Sequence, residues 1–238
     1  YRFYLPLKPI LIGEKKELKV HPYVLGAWIG DGTNKKPAIT GPKSDIAIID
    51  KIVDCGYLIK HQYIHKTTKV LTTVFDRKLV DGLRAYGMCY YTKDCKKYIP
   101  KDYLNASVEQ RLQLLAGLLD TDGYLVKKER RYQFSTINET LKDDFVTLIS
   151  TFGWRASVKK EEPKISSSGI VGRNPVYVIA FNPTLEIPCV IKRKHLLDFS
   201  KAHRISIKSI FKSAPKQGNC ITVSNSDGLY LVGHTMVP

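Results

Sequence analysis

Leu25-Gly26-Ala27-Trp28-Ile29-Gly30-Asp31-Gly32 and Leu115-Ala116-Gly117-Leu118-Leu119-Asp120-Thr121-Asp122-Gly123 are two apolar runs that close on the same acid–glycine punctuation, 91 positions apart from Asp31 to Asp122. One such run reads as a buried helix stopped by glycine. Two at this spacing read as a pseudo-symmetric pair, because Gly26 and Ala27 in one run and Ala116 and Gly117 in the other are small enough for two helices to approach side by side. Packed in that way, the helix ends meet. Each then delivers an acid, Asp31 or Asp122, just before a glycine suited to a left-handed C-terminal cap, where the negative end of the helix dipole favours a cation. Two convergent carboxylates at such a place form a divalent-metal site.

Around these runs the same order of events recurs. Pro22 suits the first position of a helix running to Gly30, and Ser107 with Gln110 three residues on is a capping-box signature for a helix through Leu119. After each run come a short strand (38–40; 132–136) and then an amphipathic helix ending before glycine, from Asp45 to Cys55 and from Glu139 to Phe152. Further β-rich pieces follow at 70–75 and 176–181. The expected fold is α+β, built by internal duplication of one supersecondary order. Its divisions are a Pro- and Lys-rich lead-in (1–20), a first half (21–104), a second half with a basic helical end (105–212) and a C-terminal hairpin (213–238).

The second run is within conservative changes of the sequence that names the LAGLIDADG homing endonucleases, and the first resembles a degenerate copy of it. Lys97-Tyr98-Ile99-Pro100-Lys101-Asp102-Tyr103-Leu104 resembles the block that precedes the second motif in intein-borne members of that family. The resemblance implies two αββαββα units packed through their motif helices to form a β-saddle on DNA. It further implies two or three Mg²⁺ ions shared between Asp31 and Asp122, with the Gly30 and Thr121 positions as further metal contacts. Hydrolysing a phosphodiester needs an activated water and neutralised charge on the phosphoryl group and leaving oxygen, which divalent metals supply. The family also uses a basic residue near each scissile phosphate. Lys69 and Arg173 are the candidates, with Lys159 as a substitute, and Gln133 is a candidate for positioning water.

Composition fits a polyanionic partner. The chain has 238 residues, 38 Lys+Arg against 22 Asp+Glu and a formal net charge of +16, a balance also met in ribosomal proteins and heparin binders. Side chains expected on the DNA-facing strands and turns are Lys35, Lys36, Thr40, Lys43, His61, Tyr63 and His65 in the first half. In the second half they are Lys127, Lys128, Arg130, Arg131, Ser135, Arg155 and Lys159. Five cysteines without paired short spacings (Cys55, Cys89, Cys95, Cys189, Cys220) fit a reduced intracellular compartment, and no apolar stretch reaches membrane-spanning length. The expected activity is a monomeric, metal-dependent endonuclease acting on a long double-stranded target and leaving 3′ overhangs. The alternative is a LAGLIDADG protein that binds nucleic acid without cutting it, as a maturase or regulator.

The tail, Ile221-Thr222-Val223, then Gly228-Leu229-Tyr230-Leu231-Val232, then Gly233-His234-Thr235-Met236-Val237, resembles the last strands of an intein splicing domain. Tyr1 is not a splicing nucleophile, and Val237-Pro238 replaces the His-Asn end. The expectation is an intein endonuclease portion cut from its splicing halves, or a product that has lost them.

Overall fold

A computed structural model describes residues 3–5, 8–89, 97–163, 172, 174–199, 206–218, 220–224 and 230–232. Its centre is a pair of helices, α1 (Pro22–Asp31) and α5 (Val108–Asp122), buried side by side. Pro22 occupies the first turn of α1, where a missing N–H costs nothing. The capping box of α5 is formed: Ser107 Oγ accepts from Gln110 N, and Gln110 Oε1 accepts from Ser107 N.

The glycines set how closely the two helices approach. A Cβ on Gly26 would lie 2.2 Å from the Leu114 carbonyl oxygen, and one on Gly117 would lie 2.2 Å from that of Tyr23. Gly26 and Gly117 correspond across the duplication, as do Tyr23 and Leu114, so the two contacts are one contact repeated by a pseudo-two-fold axis. Ala27 and Ala116 beside them are fully buried.

Each helix opens into an antiparallel sheet. In the second half β4 (Gly123–Val126), β5 (Arg131–Thr136), β6 (Ala156–Glu161) and β7 (Val176–Phe181) order as β4-β5-β7-β6. In the first half β1 (Ala38–Gly41), β2 (Ile59–Ile64) and β3 (Leu71–Phe75) order as β1-β3-β2. The shared core order β1-β3-β2 and β5-β7-β6 is the expected duplication. The first sheet, however, is one strand short. Residues 33–37 close a tight turn instead, with Thr33 N donating to the Ala38 carbonyl and Lys36 N to that of Thr33, and the counterpart of β4 is reduced to one antiparallel bridge between Gly32 and Ile39.

Helices α2 (Ile46–Asp54) and α6 (Glu139–Thr151) cover one face of each sheet, and α3 (Arg77–Arg84) follows β3. The core runs continuously through both halves, with Ile48, Ile52 and Phe75 on one side and Phe134, Phe145 and Phe181 on the other. The short α4 (Lys101–Leu104) leads into α5.

Three local expectations are corrected. Gly32 and Gly123 are not left-handed caps: their φ values are −75° and −84° with extended ψ. Glycine is needed there for space, since a Cβ would fall 2.2 Å from the Trp28 carbonyl oxygen or 2.5 Å from that of Leu119. The left-handed glycines instead follow α2, α3 and α6, at Gly56 (φ 83°), Gly87 (φ 69°) and Gly153 (φ 72°). The basic stretch after residue 184 forms only a 3₁₀ turn over Lys192–Lys194, Pro183 and Pro188 opposing a longer helix; Lys201 and Arg204 lie outside the described residues. In the expected C-terminal hairpin, residues 220–224 and 230–232 belong to no strand of the two sheets, and 225–229 lie outside the described residues.

The lead-in does not stay with the first half. Lys16 exchanges two hydrogen bonds with Gln110 of α5, and Leu11 N donates to the Thr151 carbonyl at the end of α6. The buried Arg111 guanidinium joins the same strap through the carbonyls of Ala106, Thr151 and Leu11. Among the described residues no helix is long and apolar enough to cross a membrane.

Candidate metal and nucleic-acid site

Both motif acids arrive at one place because both helices end there. An added Cβ on Gly30, the residue before Asp31, would lie 3.4 Å from Asp122 Oδ2 and 2.0 Å from Thr121 Oγ1. The absence of a side chain at Gly30 therefore makes room for the second half's acid. Neither carboxylate accepts a hydrogen bond from any described residue. Asp31 is half-buried, and loss of water together with the negative charge of Asp122 pushes its carboxyl up to about 6. The Asp122 carboxyl, which keeps a solvent-facing surface, is also raised by partial burial. Two crowded carboxylates without donors form a site that a hard cation relieves.

Two lysines flank them, and they are not the expected ones. Lys97 Nζ donates to the Gly30 and Gly32 carbonyls at 3.0 and 2.7 Å, capping the end of α1, and lies 5.3 Å from the centre of the Trp28 ring. Lys194 Nζ donates to the Leu119, Asp120 and Thr121 carbonyls at 2.6, 2.7 and 3.0 Å, capping the end of α5. Each ammonium thus occupies the negative end of a motif helix, and both charges favour ionised Asp31 and Asp122. The carbonyls of Gly30 and Thr121, expected among the metal contacts, receive these lysines, which leaves the carboxylates as the oxygens open to a cation.

A sequence signal for the lysines existed. Lys97 opens the block ahead of the second motif, and Lys194 ends the cluster Lys192-Arg193-Lys194 at the close of the second half. By contrast Lys69 lies in the β2–β3 turn in a left-handed conformation (φ 57°), its N–H bonded to the His65 carbonyl. Arg173 lies outside the described residues.

The expected contact residues divide by sheet face. In the second sheet Tyr124, Gln133, Ala180 and Ser157 align across the four strands, and the same parity puts Arg131, Ser135 and Lys159 on the face turned away from the core, while Arg155 lies just before β6. In the first sheet Thr40, Thr72 and Tyr63 align, with His61 one step along. Thr40 and Thr72 share a 3.0 Å hydrogen bond, and the rings of His61 and Tyr63 stack at 6.1 Å. Lys35 and Lys36 lie in the turn after α1, His65 in the β2–β3 turn, Lys43 in the 3₁₀ turn before α2, and Lys127 and Lys128 in the turn before β5. Several cations are already paired: Arg130 with Asp198, Arg131 with Glu129 and Lys159 with Glu161.

This is a basic α+β protein whose paired units bring two acids and two lysines to their common axis. Residues 109–199 match the family described as LAGLIDADG-like domain. The chain is 32% identical over 235 residues to the replicative DNA helicase DnaB of Mycobacterium intracellulare, covering 94% of this chain and 35% of that protein. It is 24% identical over 225 residues to the homothallic switching endonuclease of Saccharomyces cerevisiae, covering 74% of this chain and 38% of that one. The chain therefore spans little more than a third of these relatives. Among solved structures, the homing endonuclease I-DmoI with DNA and manganese is 15% identical with a TM-score of 0.44, covering 68% of this chain and 89% of that one.

Proposed function

We propose that this chain is a site-specific endonuclease of double-stranded DNA, dependent on a divalent metal and acting as a monomer. The observation that carries the reading is the pair of carboxylates, Asp31 and Asp122, meeting at the ends of two helices of one chain with no hydrogen-bond donor among the described residues. The switching endonuclease relative and the net charge of +16 support DNA as the substrate. In this reading both halves of the active site come from one polypeptide, so no second copy is required.

Asp31 and Asp122 would hold Mg²⁺, which prefers one or two carboxylates and retains water for the rest of its shell. When bound, the metal supplies an activated water and neutralises charge on the phosphate and the leaving 3′ oxygen. Lys97 and Lys194 place positive charge beside the carboxylates, one at each helix end, and act on the scissile phosphates through that charge; Lys194, buried with its three donors on the Leu119, Asp120 and Thr121 carbonyls and its pKa lowered by that burial, does so without direct contact. The open faces of the two sheets lie as a saddle in successive major-groove segments, where Arg131, Gln133, Ser135, Thr40 and Tyr63 reach base edges and phosphates. Staggered cuts leaving 3′ overhangs follow from the family resemblance.

Segments of two helicases match this chain, DnaB above and Hel308 of Methanocaldococcus jannaschii at 27% identity over 179 residues. That pattern supports an element inserted into longer host proteins, as intein-borne endonucleases are.

The test is selection from a randomised duplex library. The wild-type protein with Mg²⁺ should cut a defined long site, and with chelator should shift the same duplex without cutting it. Binding without cleavage in Mg²⁺ or Mn²⁺ would refute the nuclease reading and leave a nucleic-acid-binding protein.

A further inference from the structure

We propose that Asp120, which is not aimed at the metal site, is the residue that positions Lys194 and thereby one of the two strand-cutting centres; this rests on the endonuclease reading. Asp120 is fully buried at the last turn of α5. Its Oδ2 accepts from Val190 N and from the Tyr23 hydroxyl, both at 2.8 Å, and its Oδ1 accepts from Ile191 N at 3.1 Å. Ile191 is the N-cap of the 3₁₀ turn Lys192–Lys194, and Lys194 N donates back to the Ile191 carbonyl at 2.8 Å. The clamped peptide and Lys194 are therefore separated by one rigid turn.

The other end of that turn is held as well. Tyr132 Oη donates to the Lys194 carbonyl at 2.6 Å, and Arg193 forms a bidentate pair with Asp45 of the first half at 2.7 and 2.6 Å. The Lys194 ammonium then reaches the Asp120 carbonyl itself at 2.7 Å. Asp120 thus grips the turn by its side chain and receives the lysine on its backbone.

The first half has no such device, since Ile29 stands at the position equivalent to Asp120. Lys97 is placed instead by α6 and its cap: Asn138 Nδ2 donates to the Lys97 carbonyl at 2.7 Å, and Ile99 N donates to Asp144 Oδ2 at 2.9 Å. Loss of Asp120 should consequently disturb one lysine and spare the other, whereas a general loss of stability would slow both cuts.

The experiment compares Asp120→Asn, Tyr132→Phe, Lys194→Met and Lys97→Met on a supercoiled plasmid carrying the library-selected site, with strand-specific mapping of nicks. Asp120→Asn should accumulate nicked circles broken in one constant strand. The slowed strand should be the one slowed by Lys194→Met, by about 100-fold, the scale of a 1 Å misplacement of a catalytic group. Lys97→Met should slow the opposite strand. Equal slowing of both strands by Asp120→Asn, or none, overturns the proposal.

A measurement on the protein alone keeps the two readings apart. In Asp120→Asn the Val190 and Ile191 amides should exchange hydrogen faster, and Lys194 should be acylated faster than in wild type, with Lys97 unchanged. Unaltered protection and labelling overturn the positioning role even if no library member is cut, while altered labelling with no cleavage by wild type overturns only the nuclease reading.

Discussion

Replacing Asp31 by Asn should stabilise the metal-free protein while removing its response to metal. Burial and Asp122 raise the Asp31 carboxyl from 3.8 to about 6, so ionising it costs more in the folded chain than in the unfolded one. A group raised in this way favours folding fully below pH 3.8, and that contribution disappears as pH climbs through 6. At pH 8 the native state therefore carries the whole penalty. A rise of that size corresponds to a ceiling of about 3 kcal/mol, and the partial exposure of Asp31 screens this to about 1–2 kcal/mol. For a chain of this size that is a rise in Tm of about 3–6 °C for Asp31→Asn in chelator at pH 8. The variant should melt close to wild type at pH 4. Wild type should recover stability in Mg²⁺, by about 2.7 kcal/mol at a hundredfold excess over Kd, and the variant much less. Scanning calorimetry at the two pH values, with chelator or metal, decides it. A variant that melts at or below wild type in chelator at pH 8 would show that the two carboxylates do not repel each other as described.

Gly117→Ala should lower stability by about 1–3 kcal/mol or more, because its Cβ would sit 2.2 Å from the Tyr23 carbonyl and the helices must part to admit it; an unchanged melting curve would deny the close approach. DNA affinity should fall steeply with salt, with a log–log slope near −0.9 per neutralised phosphate in titrations of a selected duplex; a flat response would exclude an extended basic footprint. Lys97→Met should slow cleavage more than it weakens binding, measured as single-turnover rate against Kd in calcium, whereas Lys69→Ala should change both in parallel. The reverse ranking would return the catalytic assignment to the β2–β3 turn.

The helix pair was legible because its signals are local and repeated. Small residues at Gly26, Ala27, Ala116 and Gly117 announce close approach, and the acids follow at fixed spacing. The capping box Ser107–Gln110 marked the start of α5 for the same reason. The conformations of Gly32 and Gly123 were not legible, since glycine answers both to positive φ and to lack of space. Here the helix continues straight into extended backbone, and a neighbouring carbonyl rather than φ excludes a Cβ. The lysines escaped notice because their signals, Lys97 opening the block ahead of the second motif and Lys194 ending a basic cluster, do not stand out in a chain of 38 basic residues. Lys97 is far in sequence from Gly30, as Lys194 is from Thr121, and only the tertiary fold returns them. The shortening of the first strand to a single Gly32–Ile39 bridge was readable in hindsight from the short interval between Gly32 and Ala38.

The duplication is most faithful where backbone meets backbone and least faithful where side chains hold a loop. At the helix contact Gly26 and Gly117 are interchangeable, because an approach of 2.2 Å from a virtual Cβ to a carbonyl tolerates nothing larger on either side of the axis. At the lysines the requirement is weaker: an ammonium must reach a helix end, and any rigid support will do. One half uses a buried carboxylate, Asp120, holding the Val190 and Ile191 amides. The other uses Asn138 and Asp144, borrowed from the opposite half. The two supports also differ in cost. A fully buried carboxylate needs every acceptor filled, which Asp120 achieves with Tyr23 from across the helix interface, whereas the other support joins neutral Asn138 to the only partly buried Asp144. Substitutions at the interface should therefore reach the Lys194 ammonium through Tyr23 before they reach that of Lys97, and under the endonuclease proposal such variants should slow one strand's cut before the other in strand-specific nick mapping; equal slowing of both strands would show that Tyr23 does not carry the effect.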